Sequence, residues 1–296
     1  STIHDVYDKA CLLAQERGIC VTGSELVGLI PLDAIILAGK HYLKKQSRSI
    51  GVPVSDIIEC AVQSLGLNDV TPFINNEKII DYAVKDNDNL FDKDFLESVS
   101  LNTPAPGGGS VSALSGSLGS ALCSMVASLT HEKKDMLHNR LIMEEIGVKA
   151  QELKDDLAHL VSEDSRAFNK VLDAVRAPAI SEQDIEEKTK NILLANKYAI
   201  EIPYQTAKKC YEVMQLAEIL IDKGNPSSLT DAGVAAEVAF SGLRGGCMNV
   251  LINLTELNDE KYINQKEKEV DNMLKKGEKL NRKLFKKTIS LLQITG

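Results

Sequence analysis

The sequence contains no tryptophan, and aromatic residues make up only 4% of its 296 positions. A core without large rings has to be built from alanine and other aliphatic side chains, which favours helices. Hydrophobic residues still account for 44% of the chain, enough for a substantial core in one large domain or two. The low aromatic content therefore predicts a mainly α protein.

An excess of positive charge is also missing. The formal net charge is −8 and the pI is near 5.3, so no basic face outweighs the acidic residues. The small-residue run at 111–130 holds too many serines to be a membrane span, and the first residues show no signal-peptide pattern. We expect that the protein binds neither nucleic acid nor a membrane. We also expect it to be cytoplasmic.

Metal-binding cysteine patterns are absent as well. The six cysteines form no C-x-x-C pair and show no metal-ligand spacing with the five histidines. Several cysteines lie within apolar runs, which is typical of reduced thiols that pack as small core residues. The sequence predicts no metal site.

One stretch of unusual composition lies at 103–110 and reads Thr-Pro-Ala-Pro-Gly-Gly-Gly-Ser. The prolines favour extended backbone, the glycines release it, and Ser110 stands where a helix N-cap is expected. A loop ending on a helix N-terminus presents free backbone N–H groups to polar or anionic ligand atoms. We predict a binding loop, with a flexible turn as the alternative. Its predicted binding residues are Pro106, Gly107, Gly108, Gly109 and Ser110.

The chain divides by pattern into two parts joined by a polar, acidic linker at 84–93. Residues 1–83 alternate short β-prone runs, such as 19–22, with helices at 4–17, 32–45 and 55–66, which predicts a small α/β (α+β) segment. Residues 94–296 predict an all-α helical bundle. Helices are expected at 94–100, 110–130, 134–176 (divided or bent), 182–197, 200–222 (opened by Pro203), 231–256 and 258–293.

Apolar residues recur three and four apart from Leu157 to Val175, and Asp164 falls on the same stripe. A carboxylate on an inward face is costly unless it is paired or neutral. Burial would raise its pKa above the usual value of about 3.9, toward the range where an aspartate delivers a proton at neutral pH. The pattern alone favours a helix cap or a buried ion pair, with a catalytic acid as the other interpretation.

A second polar seam comprises Gly242, Gly245, Gly246, Asn249 and Asn253. The glycines admit a partner backbone or a flat ligand, and the two asparagines offer amide donors and acceptors one turn apart. Ligand binding by Asn249 and Asn253 and hydrogen bonding between helices are equally compatible with this pattern.

Segments 104–110, 124–130 and 160–168 closely resemble the formimidoyltetrahydrofolate cyclodeaminase and methenyltetrahydrofolate cyclohydrolase group. The resemblance implies an all-helical domain that closes an amidine on the folate ring system, with Asp164 as its proton-donating aspartate. Asn225 and Asp231 resemble the group's Gly-Asn turn and Ser/Thr-Asp helix start, and join Asn249 and Asn253 as predicted substrate-binding residues. A helix N-cap is the alternative role for Asp231.

Segments 22–31, 64–67, 72–73 and 79–82 look like the C-terminal subdomain of glutamate formiminotransferase. In bifunctional formiminotransferase-cyclodeaminases the transferase precedes the cyclodeaminase, which is the order in this sequence. The family's catalytic histidine belongs to an N-terminal transferase subdomain that has no counterpart before Ser1. We therefore expect this chain alone not to transfer formimino groups.

The resemblance implies an enzyme of histidine degradation that converts 5-formiminotetrahydrofolate to 5,10-methenyltetrahydrofolate and ammonia. It implies no metal and no cofactor beyond the tetrahydrofolate substrate, which can carry a polyglutamate tail. It also implies a homo-oligomer, at least a dimer, with sites between subunits. The alternatives are a methenyltetrahydrofolate cyclohydrolase and a non-enzymatic oligomerisation module. A solvated face is favoured over polyglutamate binding for the lysines at 275, 276, 279, 283, 286 and 287.

Overall fold

A computed structural model describes residues 2–48, 50, 54–84 and 93–292. The chain forms two compact units that divide between Thr103 and Pro104. The linker predicted at 84–93 lies outside the described residues except at its two ends. The helix Asp94–Ser100 precedes this division.

The first unit is built from short helices around a small aliphatic core. Two of them, α2 and α3, pack against each other and bury Ile35, Leu43 and Ile58. The helices of this unit are α1 (Ile3–Gln15), α2 (Leu32–Lys45), α3 (Val54–Ser64), α4 (Asn75–Lys78), α5 (Ile80–Ala83) and α6 (Asp94–Ser100).

The β-prone run at 19–22 forms no strand, so the α/β expectation for the first unit is not met within the described residues. Extended backbone pairs there at one isolated parallel bridge, between Ile30 and Ile79. The Ile30 N–H donates to the Lys78 carbonyl at 2.9 Å, and the Ile80 N–H donates to the Ile30 carbonyl at 3.0 Å. A strand needs a neighbour along its length, and residues 19–22 lie exposed or half-buried without one in the described unit.

The second unit is an all-helical bundle, which confirms that prediction. Its core is aliphatic and alanine-rich, as the lack of tryptophan requires. Its helices are α7 (Gly108–His131), α8 (Arg140–Arg176), α9 (Glu182–Lys223), α10 (Leu229–Leu254) and α11 (Glu260–Leu292), with 3₁₀ turns at Lys134–Asn139 and Pro226–Ser228. The division predicted within 134–176 falls at Arg140.

The central helix of the bundle is α7, which packs against α8, α9 and α10. Among the described residues it is the one helix long and apolar enough to cross a membrane by length and composition. Over half of its most apolar window is buried inside the bundle, at 56%. Burial of this kind is the mark of a core helix in a folded domain.

The division predicted between 197 and 200 is wrong, because α9 continues through Pro203 as one helix of 42 residues. A proline inside a helix removes the hydrogen bond to the carbonyl four residues earlier, which here belongs to Ala199. The side-chain amide of Asn253 on α10 supplies the missing donor, with its nitrogen 2.7 Å from the Ala199 oxygen. The helix therefore keeps its hydrogen bonding across the proline.

Candidate functional site

A cavity of about 360 Å³ opens at the N-terminal end of α7, within the second unit. Its walls are formed by the loop before α7, the C-terminal half of α8, the N-terminal half of α9 and the C-terminal part of α10. The lining residues are Pro104, Ala105, Gly107, Gly108, Gly109, Asp164, Ala167, Phe168, Val171, Asn196, Ala199, Asn249, Ile252, Asn253 and Glu256.

The glycine-rich loop enters α7 earlier than predicted. The helix begins at Gly108, and Gly107 is its N-cap with extended backbone. Ser110 is therefore inside the first turn, and its prediction as the N-cap is wrong, because its hydroxyl binds α8 instead of its own helix. The first-turn N–H groups have no carbonyl one turn earlier in the helix to bind, and the glycines leave the backbone bare where it lines the cavity.

Asp164 lies directly against this bare backbone. A methyl group built on Gly109 would meet the Asp164 Oδ1 atom at 2.0 Å, so the carboxyl group occupies the space that any side chain at 109 would fill. The periodicity of the α8 stripe placed Asp164 on the inward face, and the structure brings it together with Gly107, Gly108 and Gly109.

The environment of Asp164 favours the protonated acid. Burial raises the pKa of this carboxyl above its ordinary value of 3.8, while hydrogen bonds from the Ser110 hydroxyl and backbone N–H act in the opposite direction and only partly offset it. The neighbouring Glu163 shows the contrast: the Tyr198 hydroxyl and the Arg166 guanidinium hold its pKa below the usual range. The pKa of Asp164 is thus raised and that of Glu163 lowered, although the two residues are adjacent on α8.

Two amide side chains on α10 have their orientation fixed by the chain's own carbonyls. The Asn249 Nδ2 atom donates to the Gly245 oxygen at 2.8 Å, and the Asn253 Nδ2 atom donates to the Ala199 oxygen at 2.7 Å. A carbonyl only accepts, so each amide nitrogen is the atom committed to the protein. The amide oxygens, with two lone pairs each, are left as acceptors on the cavity wall.

The glycines of α10 serve helix packing. A methyl group on Gly242 would lie 2.6 Å from the Ser112 oxygen of α7, and one on Gly246 would lie 2.8 Å from the Pro203 oxygen of α9. Of the two alternatives for this seam, close approach of partner backbones accounts for the glycines, while Asn249 and Asn253 reach the cavity beyond them.

Two residues of the predicted loop do not line the cavity. Pro106 is half-buried beside it, and Ser110 is fully buried behind Asp164. The Ser110 Oγ atom lies 3.0 Å from the Asp164 Oδ2 atom and 3.0 Å from the Val161 oxygen. Ser110 therefore touches the candidate acid and not the space where a ligand would bind.

Asn225 and Asp231 lie at the opposite end of α7. The Asn225 N–H donates to the Thr130 hydroxyl at 2.9 Å, and its side-chain oxygen accepts from Lys133 at 3.0 Å. Asp231 lies in the first turn of α10, whose N-cap is Ser228, so Asp231 is not the N-cap. The 24 residues of α7 separate the two ends by about 36 Å. One chain does not bring this pair to the cavity.

Asn196 is a cavity residue that sequence analysis missed. Its side chain is buried on α9, and its amide nitrogen lies 3.4 Å from the Glu256 oxygen. The sequence does contain a signal for Asn196: it lies at helical spacing on the same face as the apolar residues Ile200, Pro203 and Ala207, and this face is buried. Among the described residues, no group of three or more histidine, cysteine, aspartate or glutamate side chains is arranged to hold a metal ion.

Two protein-family models match the chain. The model described as formiminotransferase-cyclodeaminase matches residues 92–272, and the model of the formiminotransferase domain matches residues 1–85. The first match alone covers more than half of the chain. The chain belongs to the formiminotransferase-cyclodeaminase family. The cavity and Asp164 lie entirely within the region that this first model matches.

Known relatives agree with this membership. The chain is 31% identical to a formimidoyltransferase-cyclodeaminase from Gallus gallus, over 93% of this chain and 52% of that protein. It is 33% identical to a methenyltetrahydrofolate cyclohydrolase from Methylorubrum extorquens, over 64% of this chain and 92% of that protein. The chain therefore spans about half the length of the bifunctional relative and nearly all of the cyclohydrolase.

One solved structure shares the fold of the helical part. The crystal structure of formiminotetrahydrofolate cyclodeaminase from Thermotoga maritima matches with a TM-score of 0.57 and 28% sequence identity. The match covers 69% of this chain and 96% of that one. Nearly the whole of that chain therefore shares the fold of the helical part.

Proposed function

We propose that the second unit is a formimidoyltetrahydrofolate cyclodeaminase, which converts 5-formiminotetrahydrofolate to 5,10-methenyltetrahydrofolate and ammonia. Family membership sets the class of reaction. The observation that carries the proposal is the Asp164 carboxyl, which lies against the bare backbone of Gly109 on the cavity wall and whose pKa burial raises above its ordinary value. In this proposal the parent protein also transfers formimino groups from glutamate derivatives, as part of histidine degradation in the cytoplasm.

The chemistry of the reaction requires one well-placed acid. In the substrate, the attacking N10 amine is tethered near the formimino carbon, so holding one conformer removes much of the entropic barrier. Attack of N10 on the formimino carbon, with transfer of the N10 hydrogen to the former imine nitrogen, forms a tetrahedral aminal that carries an NH₂ group. Protonation of this group lets its C–N bond break, and ammonia leaves with the bonding electron pair. Asp164 donates this proton, and its carboxylate then stabilises the cationic methenyl product. In this proposal the reaction uses no metal and no cofactor beyond the tetrahydrofolate substrate.

The cavity offers complementary groups for a pterin ring. A tetrahydropterin presents N–H donors along one edge, and the amide oxygens of Asn249 and Asn253 are acceptors on the cavity wall. Phe168 and Ile252 supply apolar surface for the ring faces. The free N–H groups at the start of α7 suit the carbonyl and lone-pair nitrogen atoms of the ligand.

A methenyltetrahydrofolate cyclohydrolase is the second candidate, because the Methylorubrum extorquens relative carries that name and aligns with the helical unit. The same proton-holding carboxyl can serve the addition of water to the methenyl carbon. Two assays separate the candidates: ammonia release from 5-formiminotetrahydrofolate, and loss of 5,10-methenyltetrahydrofolate in water. Faster turnover in the first assay supports the deaminase, and turnover in the second assay alone overturns it.

An exposed apolar stripe on α7 supports assembly into at least a dimer. Val111, Leu118 and Met125 follow each other at seven-residue intervals on the exposed face, and Leu129 continues the stripe. A two-fold interface pairs the same patch on two copies. The stripe is suited to such pairing, because each of the two copies would bury the same apolar side chains.

Antiparallel pairing of two α7 helices would complete the site between subunits. The first turn of one helix would then lie beside the last turn of the other, where Asn225 and Asp231 are found. This arrangement is our proposal for how these residues and the loop contact one folate molecule.

A non-enzymatic oligomerisation module is the remaining alternative, in which the loop glycines only turn the chain. Equilibrium dialysis with 5-formyltetrahydrofolate distinguishes it from both enzymes. The proposed function predicts saturable binding of one folate for each helical unit. Lack of binding at millimolar ligand would overturn both enzymatic proposals.

A further inference from the structure

Three serines on α7 bind backbone carbonyls on α8 in the same way. The hydroxyls of Ser110, Ser117 and Ser120 all lie on the buried face of α7. Ser117 Oγ donates to the Lys154 oxygen at 2.9 Å, and Ser120 Oγ donates to the Ala150 oxygen at 2.7 Å. Ser110 Oγ lies 3.0 Å from the Val161 oxygen and belongs to the same series. These contacts hold the two helices close together.

Ser110 differs from the other two because it has a second acceptor. Its Oγ atom lies 3.0 Å from the Asp164 Oδ2 atom as well as 3.0 Å from the Val161 oxygen, and 3.4 Å from the Ser165 hydroxyl. A hydroxyl has one hydrogen to donate and two lone pairs. Ser110 therefore cannot donate to the Val161 carbonyl and to an ionised Asp164 at the same time.

The protonation state of Asp164 decides between the two bonds. When Asp164 is neutral, its own O–H donates to the Ser110 oxygen, and the Ser110 hydrogen points to Val161. When Asp164 is ionised, the Ser110 hydrogen turns to the carboxylate. The Val161 carbonyl loses little in this change, because inside α8 it also accepts the N–H of Ser165 one turn later.

The geometry points to Ser110 as a positioning residue for Asp164, one whose hydroxyl reverses its hydrogen bond each time the carboxyl gains or loses its proton. This role in the reaction rests on the proposed function of Asp164. The reversal itself is a property of the folded protein and does not require folate. Neither the loop motif nor the family match assigns such a role to Ser110.

In the proposed reaction the proton moves as follows. The Asp164 O–H bond breaks, its electron pair stays on the carboxylate, and the proton forms a new N–H bond on the NH₂ group of the aminal. The C–N bond to this group then breaks, and its electron pair leaves with ammonia. The Ser110 hydroxyl rotates by one rotamer step and donates to the new carboxylate. No side chain has to move, so the acid and its conjugate base are both hydrogen-bonded in one rigid site.

Charged side chains near Asp164 do not take the place of the hydrogen bond from Ser110. From α7 only Gly109 and Ser110 face the carboxyl, and from α10 and α9 the cavity presents the neutral amides of Asn249 and Asn196. Glu256 at the cavity wall and Glu163 beside Asp164 on α8 are acidic groups of this region, while burial and the hydrogen bonds from Ser110 account for the shift in the pKa of Asp164. Ser110 is the group whose loss should change that titration.

The test is a carboxyl-carbon NMR titration of aspartate-labelled full chain, with the Asp164 signal assigned by its absence in D164N. We expect the Asp164 midpoint to rise in Ser110→Ala, because the ionised form loses a donor, and to stay at the wild-type value in Ser117→Ala. Ser117→Ala is the matched control, since it removes an equivalent bond between α7 and α8. Ser110→Thr, which keeps the hydroxyl, is expected to restore the wild-type midpoint.

An Asp164 midpoint in Ser110→Ala at or below the wild-type value overturns the proposal. A rise of equal size in Ser117→Ala also overturns it, because the effect would then be one of helix packing. The titration needs no substrate, so failure of the proposed enzyme activity is recognised separately, as absence of turnover in every variant. With active enzyme, Ser110→Ala should lower kcat about tenfold, the factor supplied by one hydrogen bond to a charged group, and move the alkaline limb of the pH profile upward.

Discussion

The two ends of α7 use similar residues for different purposes. At its C-terminal end, the Asn225 backbone N–H donates to the Thr130 hydroxyl, and the Asn225 side-chain oxygen accepts from Lys133 and from the Ser227 N–H, so these groups are bound within the chain. At its N-terminal end, backbone N–H groups, amide oxygens and a carboxyl surround a cavity of about 360 Å³. Hydrogen-bonding groups that face the cavity are therefore concentrated at the N-terminal end of α7.

This difference shows that residue type alone does not tell how much of a side chain's hydrogen-bonding capacity is used within the chain. Asn225 fixes a turn through three hydrogen bonds, whereas Asn249 spends only its nitrogen on the protein. A buried polar group that keeps an unused acceptor or a mobile proton beside a cavity is the signature of binding or catalysis.

The largest effect is expected from Asp164→Asn. Asparagine has nearly the same shape but cannot deliver a proton, so ammonia release from 5-formiminotetrahydrofolate should fall by about 10²- to 10⁴-fold while folding is retained. Asp173→Asn, an exposed position on the same helix, is the control and should keep wild-type turnover. Turnover within twofold of wild type in the first variant would refute the catalytic assignment.

Mixing two inactive variants tests whether the far end of α7 serves a partner's site. Asp164→Asn and Asn225→Ala should each be poorly active alone. Because random pairing makes half of the dimers mixed, with one intact site each, the mixture should regain about a quarter of wild-type turnover. The measurement is activity after unfolding and refolding an equimolar mixture. Recovery no greater than the sum of the two separate variants contradicts a shared site.

Gly109→Ala tests the close contact at the loop end. Its methyl group would overlap the Asp164 carboxyl, so we expect a loss of about 1–3 kcal/mol in the free energy of unfolding. Displacing the carboxyl by about 1 Å should lower turnover roughly 100-fold. Gly147→Ala on α8 is the control: its nearest neighbour would be at 3.9 Å. That variant should gain about 0.5–1 kcal/mol, as alanine does in helices.

The bond between Asn253 and Ala199 predicts a compensating pair. Asn253→Ala leaves the Ala199 carbonyl without its donor and should cost about 1–3 kcal/mol in the free energy of unfolding. In a Pro203→Ala background the restored backbone N–H takes over, so the same change should cost about 1 kcal/mol less. Urea unfolding of the four proteins measures this coupling. Equal costs in both backgrounds would show that the Asn253 side chain does not replace the missing N–H.

The smallest expected effect is on stability as a function of pH. The folded pKa of Asp164 is raised by burial, so its contribution to stability is complete below the ordinary value of 3.8 and is lost as pH rises through the folded pKa. Asp164→Asn removes this loss and should become progressively more stable than wild type above pH 3.8. Urea unfolding at several pH values between 4 and 8 checks it. A constant difference would contradict a raised pKa.

Much of the second unit could be predicted because its signals are local. The three-and-four spacing around Asp164 placed the carboxyl inward, and the bounds of α7, α10 and α11 follow apolar periodicity and turn residues. The loop could be located from its prolines and glycines alone. Its N-cap could not, because Ser110 binds a carbonyl that lies 51 residues away in sequence.

The features that were not predicted depend on contacts between distant segments. Helix α9 continues past Pro203 because Asn253, 50 positions later in the sequence, supplies a donor. The β-prone run at 19–22 stays irregular because no described segment pairs with it. Asn196 went unnoticed because a single polar residue on an apolar helix face usually packs against a neighbour. The position of Asn225 at the far end of α7 could not be predicted, because it depends on a contact with Thr130, 95 residues earlier in the sequence.

The most direct test of the central claim is a crystal structure of the protein with 5-formyltetrahydrofolate, in which an oxygen replaces the reactive imine nitrogen. The account predicts the pterin ring in the cavity at the start of α7, with its N5 substituent within hydrogen-bonding distance of Asp164 and the ring edge on Asn249. A folate bound elsewhere on the second unit, with Asp164 facing an empty cavity, would contradict it.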